Sequence, residues 1–329
     1  MKKYLIISLK LAISAGILWY IFTKVPFNSI VESLSTANPF FILLAYLVFP
    51  VAVFTAALQI HILTRSQGMS LNVRQIFSIN YVTYFYNLFL PGYLAGGAIR
   101  WYKFSQHEGK RVEAFSAIIA TRYLDFVVVT AVGIFFWCAD PIARTHHSLG
   151  LTLGGLLFFL CLGMYIFMNK RVLAFFSSVV ERVHFIPALL RRVLLKIAQS
   201  FDSFHALQPH QKTLLILLLT AKYLLGILST YLMACSLSLP LSMINLGWIQ
   251  TFMYVLMMLP ISFQGLGVRE GGMIALVNMY GIAQVNAVSL SFLMFSMCVI
   301  AGFIGAIIEA YTFLFGRKKK DETLHTTMQ

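Results

Sequence analysis

Several ionisable residues stand inside stretches too apolar to carry charge without a reason. Arg269 and Glu270 adjoin in "LPISFQGLGVREG", Arg100 closes "LPGYLAGGAIR", Arg122 and Asp125 lie in "TRYLDF", Lys222 sits in "LLLTAKYLLG", and Glu309 stands in the last apolar run. Such a charge is expensive in a bilayer and is expected to face an interior and a partner. Arginine offers a planar fork of donors that matches a phosphate or carboxylate with two bonds. A helix opening at "GVREGG" would aim free N–H groups at an anion, and Glu270 in its first turn is favoured by the helix dipole. Arg269 and Glu270 are neighbours, so they are expected to point in different directions on a helix and need not pair with each other.

Arg122 and Asp125 are three positions apart and share one helical face. They read either as a structural ion pair or as a substrate or proton relay. Lys222 lies roughly 13 Å into its segment at 1.5 Å per residue, so it must face inward or find an acid. Glu309, two turns from the end of its segment, is a candidate partner for Lys222 or Lys10. Arg100 lies nearer the interface, where a headgroup contact competes with a site role. Gln264, Asn87 and Tyr93 would complete a polar cavity or cap free backbone. The eight histidines and four cysteines (Cys138, Cys161, Cys235, Cys298) show no metal-ligand spacing, so no metal or cofactor is expected, and the cysteines read as buried and structural.

The elements that hold these groups follow from composition. Of 329 residues, 59% are hydrophobic and 11% charged, against about 25% charged for a soluble domain. Six windows are long enough to cross a bilayer: Tyr4–Phe22, Pro39–Leu63, Phe115–Cys138, Leu149–Met168, Thr213–Cys235 and Val288–Phe315, each near the roughly 20 residues required. Their continuous apolar character excludes a barrel. Lys10 interrupts the first window and no small-x-small site follows, so it reads as an uncleaved span.

The formal net charge is +14. Lys and Arg gather at Lys2–Lys3, Arg65 and Arg74, Arg100–Arg111, Lys170–Lys212 and Arg317–Lys320. The positive-inside rule places these in the cytoplasm together with both termini, and six spans satisfy that. The basic residues flank spans without forming a soluble basic face, so nucleic acid is not an expected partner. In residues 170–212, apolar positions alternate with Arg191, Arg192 and Lys196 at helical spacing. That pattern predicts an amphipathic helix on the cytoplasmic surface, drawn to anionic lipid.

Two apolar regions, Phe77–Ile99 and Leu246–Val277, are broken by Pro and Gly. Treating either as a full span breaks the charge pattern, so each is predicted as a re-entrant hairpin with its turn lining an internal cavity. The turns share a spacing: Leu90-Pro91-x4-Gly96-x2-Ile99-Arg100 and Leu259-Pro260-x4-Gly265-x2-Val268-Arg269, with Gly267 just before the second arginine pair. The whole is predicted as a single all-α polytopic transmembrane domain of about six spans and two broken-helix hairpins. It divides into repeats 1–140 and 149–315, inverted relative to one another, and matched interruptions of this kind point to a substrate site.

The stretches "LPGYLAGGAIR", "TRYLDF" and "LPISFQGLGVREG" resemble three signatures of the lysylphosphatidylglycerol synthetase transmembrane-region family, the flippase-like domain proteins. The resemblance covers essentially the whole chain. It implies an inner-membrane protein of bacteria or archaea that moves lipids or lipid-linked sugars between leaflets. The soluble aminoacyl-transferase domain found in other members is not expected within these residues. The first signature often carries an acid between glycine and arginine. "GGAIR" has none, so the resemblance supplies no partner for Arg100.

No G-x-x-x-x-G-K-[ST], nucleophile elbow or H-E-x-x-H is present, which disfavours an ATP-driven motor or a hydrolase. The expected function is transport of an anionic, phosphate-bearing phospholipid or polyprenyl-linked lipid. The candidate site is Arg269, Glu270, Arg100, Gln264, Gly265, Gly267, Pro260, Pro91 and Gly96, with Arg122, Asp125, Lys222 and Glu309 as charge pairs or relay. A membrane-embedded transferase acting on a lipid headgroup, and a scaffold for envelope-lipid enzymes, are the alternatives.

Overall fold

A computed structural model describes residues 16, 19–90, 95–169, 207–258 and 265–326. Most of the first predicted span, the tips of both predicted hairpins (Pro91 and Tyr93; Pro260 and Gln264), Lys10 and nearly all of the predicted amphipathic segment lie outside them. Every described element is helical: α1 Phe27–Ser35, α2 Pro39–Ser66, α3 Val73–Phe89, α4 Ala95–Glu108, α5 Arg111–Ala139, α6 Pro141–Thr145, α7 His147–Met168, α8 Pro209–Ser236, α9 Met243–Met258, α10 Val268–Val277 and α11 Gln284–Thr326. Five helices among the described residues are long and apolar enough to cross a membrane: α2, α5, α7, α8 and α11. They fall on five of the six predicted windows.

The breaks come where local chemistry demands them. Asn38 caps α2 by accepting from the Phe40 amide at 3.0 Å, and Pro39 opens the helix, where its missing N–H costs nothing. Asp140 ends α5 and caps α6, accepting from the amides of Ile142 at 2.9 Å and Ala143 at 3.1 Å. α3 and α4 have 17 and 14 residues, and α9 and α10 have 16 and 10. At 1.5 Å per residue each falls short of a roughly 30 Å hydrocarbon core. α3–α4 and α9–α10 thus form two broken pairs, over the regions for which the sequence predicted re-entrant hairpins.

The long helices pack in pairs. α2 packs most extensively on α8, and the two run antiparallel: Gln59 meets Lys222, Ser229 donates to the Ala45 carbonyl, and the Asn38 amide donates to Ser236. α3 packs on α11, and α9 packs on α5. Glycine permits both close crossings. A Cβ on Gly305 would stand 2.0 Å from the Tyr81 carbonyl oxygen, and one on Gly133 would stand 2.1 Å from the Thr251 hydroxyl. Small residues at helix contacts are how membrane helices approach without a hydrophobic drive between them. α7 sits at the periphery against α5, presenting Leu151 and Phe159 outward. The largest core surrounds the fully buried Trp248, between α8, α9, α10 and α11.

Candidate functional site

Six helices meet around one polar chamber. α2 contributes Gln59, α3 contributes Asn80, Thr83 and Asn87, α4 contributes Arg100, α5 contributes Thr121, Arg122 and Asp125, α8 contributes Lys222, and α9 contributes Tyr254. The cavity is about 160 Å³. At roughly 30 Å³ per liquid water, it holds about five water-sized groups, close to the size of a phosphate.

At its centre Lys222 bonds Asp125 directly and donates to Gln59 Oε1 at 3.0 Å, while Gln59 Nε2 donates to Asp125 Oδ1 at 3.1 Å. Gln59 is fully buried and Asp125 nearly so, so this triad joins three spans in a low-dielectric setting where pairing counts. The lining carries three cations, Arg100, Arg122 and Lys222, and one acid, Asp125, a formal excess of two positive charges. Asn80 is 2% exposed, and neither its amide oxygen nor its nitrogen has a hydrogen-bond partner among the described residues. A buried amide left this way faces a polar guest or water.

Gly96 belongs to the chamber by what it lacks. A Cβ there would lie 2.5 Å from Asn87 Oδ1 and 2.8 Å from the Thr83 methyl, so glycine lets α4 bring Arg100 against α3. Arg122 and Asp125 both line the chamber as their shared face implied, and Asp125 engages Lys222, 97 positions away. Lys222 is thus no isolated cation, and its acid is not Glu309.

Glu309 instead receives Lys103 at 2.5 and 2.7 Å and the Tyr86 hydroxyl at 3.0 Å. This cluster fastens α11 to both arms of the first broken pair, and Glu309 does not take up the expected pairing with Lys222; Lys10, the other expected partner, lies outside the described residues.

The second motif is arranged differently from its predicted role. Gly265 (φ +76°) and Gly267 (φ +83°) adopt a backbone conformation that favours glycine and turn the chain into α10. Glu270 reaches back to the Gly267 amide at 2.7 Å. Arg269 bonds Glu270 Oε1 through Nη2 at 2.5 Å and Nε at 3.0 Å, donates to Ser291 at 2.9 Å, and stacks on Phe295 at 4.7 Å. The adjoining side chains therefore do pair, although neighbours on a helix point in different directions: the carboxylate curls back to cap its own helix and the long arginine follows it. At 3% and 0% exposure the pair is sealed and is not among the residues lining the chamber.

A further buried carboxylate, Asp140, lies at the C-terminal end of α5. Asp140 accepts from Asn245 at 2.8 Å, from Trp248 Nε1 at 2.9 Å, and from Tyr280. Burial pushes its pKa up, but the donors of Tyr280, Asn245, Ala143 and Trp248 outweigh burial and hold it below the ordinary aspartate value.

Gln59, Asn80 and Thr83 were not singled out from sequence. Gln59 in "TAALQIHIL" and Asn80 in "IFSINYVTYF" carry the signal that marked Lys222, a polar group inside apolar sequence, though without charge it is weaker. The model of the family described as lysylphosphatidylglycerol synthase TM region matches residues 7–305. No curated protein matches the chain.

Proposed function

Because the chain belongs to the lysylphosphatidylglycerol synthase transmembrane-region family, we propose that it transports a membrane lipid whose headgroup carries phosphate, using the charged chamber between α2, α3, α4, α5 and α8 as the headgroup site. The observation that carries this reading is the chamber's composition: three cations against one acid in a phosphate-sized polar cavity walled by apolar helices. A headgroup anion would balance the excess charge while its acyl chains stay in lipid. Arg122 and Arg100 are assigned to bind phosphate, Lys222 and Asp125 to exchange their mutual contact for the guest, and Asn80 to donate to it. Arg269 and Glu270 are assigned to holding the second broken pair.

The two halves are read as an inverted repeat. The antiparallel course of α2 and α8 and the exchanged packing of α3 on α11 and α9 on α5 support that reading, the architecture of many secondary transporters. The termini are assigned to the cytoplasmic side of a bacterial or archaeal inner membrane, with envelope-lipid enzymes as the neighbours that would make or use the lipid. The test is reconstitution into liposomes with a fluorescent phosphatidylglycerol reported by dithionite bleaching. Protein-dependent translocation that falls on Arg122→Gln is expected. Translocation absent from the wild type, or unchanged in Arg122→Gln, would overturn the assignment.

A further inference from the structure

The chamber does not end at Lys222. It shares Ala56, Asn80, Tyr84, Arg100 and Lys222 with a second cavity of about 210 Å³, which in turn shares Phe49, Ala52 and Gly226 with a third of about 170 Å³. The three follow the antiparallel seam of α2 and α8. On α8 the seam is walled by Lys222, Gly226 and Thr230, four residues apart and so on one face. On α2 it is walled by Gln59, Ala56, Ala52 and Phe49. The residues between the ends are small.

Gly226 stands where the second and third cavities join, and a Cβ built on it would meet nothing within 4 Å. This glycine therefore borders open space, whereas Gly133, Gly302 and Gly305 are glycines because a neighbour presses on them. Beyond it the chemistry changes. Ser229, Thr230 and Gln250 line the third cavity with hydroxyl and amide groups, and no charged residue lines it. Gln250 donates to Thr230, which ties α9 to α8 there.

We propose that the α2–α8 seam is the route of the headgroup, that Gly226 is its narrow point, and that Ser229, Thr230 and Gln250 form a second, uncharged station for the same phosphate-bearing group. The proposal rests on the lipid-transport reading above. A guest held only by cations would be slow to leave; passage needs sites favourable enough to enter and weak enough to release. A neutral station of hydroxyl and amide groups about two helical turns beyond Lys222 on α8 meets that need.

The test uses the full-length protein in phosphatidylcholine liposomes carrying fluorescent phosphatidylglycerol, with Gly226→Leu, Gly226→Ala and Gly154→Leu compared. Gly154 lies exposed on α7 with nothing within 4 Å of a built Cβ, so it controls for added bulk on a membrane helix. Gly226→Leu is expected to slow translocation at least about tenfold, with Gly226→Ala between it and the wild type and Gly154→Leu unchanged. Because the plug lies past the chamber, the rise in melting temperature on adding inorganic phosphate should persist in Gly226→Leu. Should the leucine variant fail to fold, the alanine variant carries the test, since it adds one methyl to open space. Wild-type rates in a folded Gly226 variant overturn the route while leaving lipid transport standing. Loss of the phosphate response in Gly226→Leu overturns the second station, because residue 226 would then act on the chamber itself. A wild type that translocates nothing overturns the transport reading and the route with it.

Discussion

Replacing Asp125 should cost far more than replacing Lys222, although the two side chains touch. Opposite charges about 4 Å apart attract by about 4 kcal/mol at an effective dielectric of about 20. Removing one partner of a buried pair costs about 3–5 kcal/mol, because the other is left uncompensated. The surroundings of this pair are lopsided, with Arg100 and Arg122 lining the same chamber and no second acid among the residues lining it. Asp125→Ala leaves three cations facing one another, and the full penalty of about 3–5 kcal/mol is expected. Lys222→Met leaves Asp125 its bond from Gln59 and two arginines nearby, so the loss should be closer to one hydrogen bond to a charged group, about 1.5–3 kcal/mol. Both are measured by denaturant or thermal unfolding of the detergent-solubilised protein. Inorganic phosphate should restore Asp125→Ala more than it stabilises the wild type, since a ligand that binds only the folded state adds more stability the tighter it binds. A Lys222→Met variant as unstable as Asp125→Ala, or a phosphate response no larger in Asp125→Ala than in wild type, would refute the electrostatic reasoning.

Three further outcomes follow from the same packing. Arg269→Met and Glu270→Gln should each lose about 3–5 kcal/mol of stability, while Arg269→Met combined with Glu270→Leu regains most of it; size-exclusion profiles and unfolding of the three variants decide this, and translocation per folded molecule should be retained in the double variant. Gly305→Ala drives a methyl into the Tyr81 carbonyl and should destabilise the α3–α11 crossing by about 1–3 kcal/mol or more, whereas Gly154→Ala should be neutral in the same assay. The folded pKa of Asp140 lies below its ordinary 3.8. Its contribution is therefore complete above that value and is lost as pH falls through the lower folded pKa. Asp140→Asn should flatten the acid limb of the stability–pH curve, measured by thermal unfolding from pH 7 downward through the ordinary aspartate value of about 3.9.

How much of this was legible in the sequence differs by residue. The spans were readable because a bilayer demands about 20 apolar residues in a row, and α2, α5, α7, α8 and α11 lie where the windows fell. The broken pairs were readable because Pro and Gly in an apolar run cannot continue a helix without cost. That Lys222, Asp125, Arg122 and Glu309 would be held inside was readable from the cost of a charge in lipid. Their partners were not, because pairing is a property of the packing. Lys222 reaches Asp125 across 97 positions, and Glu309 reaches Lys103 across 206.

The two motif arginines show where sequence reasoning stops. Both stand after a glycine-rich break with the same spacing, and sequence alone favoured Arg269 as the site residue. Position on a helix sets direction only near the backbone: successive residues turn by about 100°, yet a carboxylate that caps its own helix and a long flexible guanidinium still meet. Arg269 is therefore consumed by Glu270 and Ser291, while Arg100 is carried into the chamber by the close approach that Gly96 permits. Sequence by itself determined that this is a helical membrane protein with costly charges placed in its interior. Only the tertiary structure decided which of those charges meet one another and which line a common cavity, since that depends on which helices cross and at what distance.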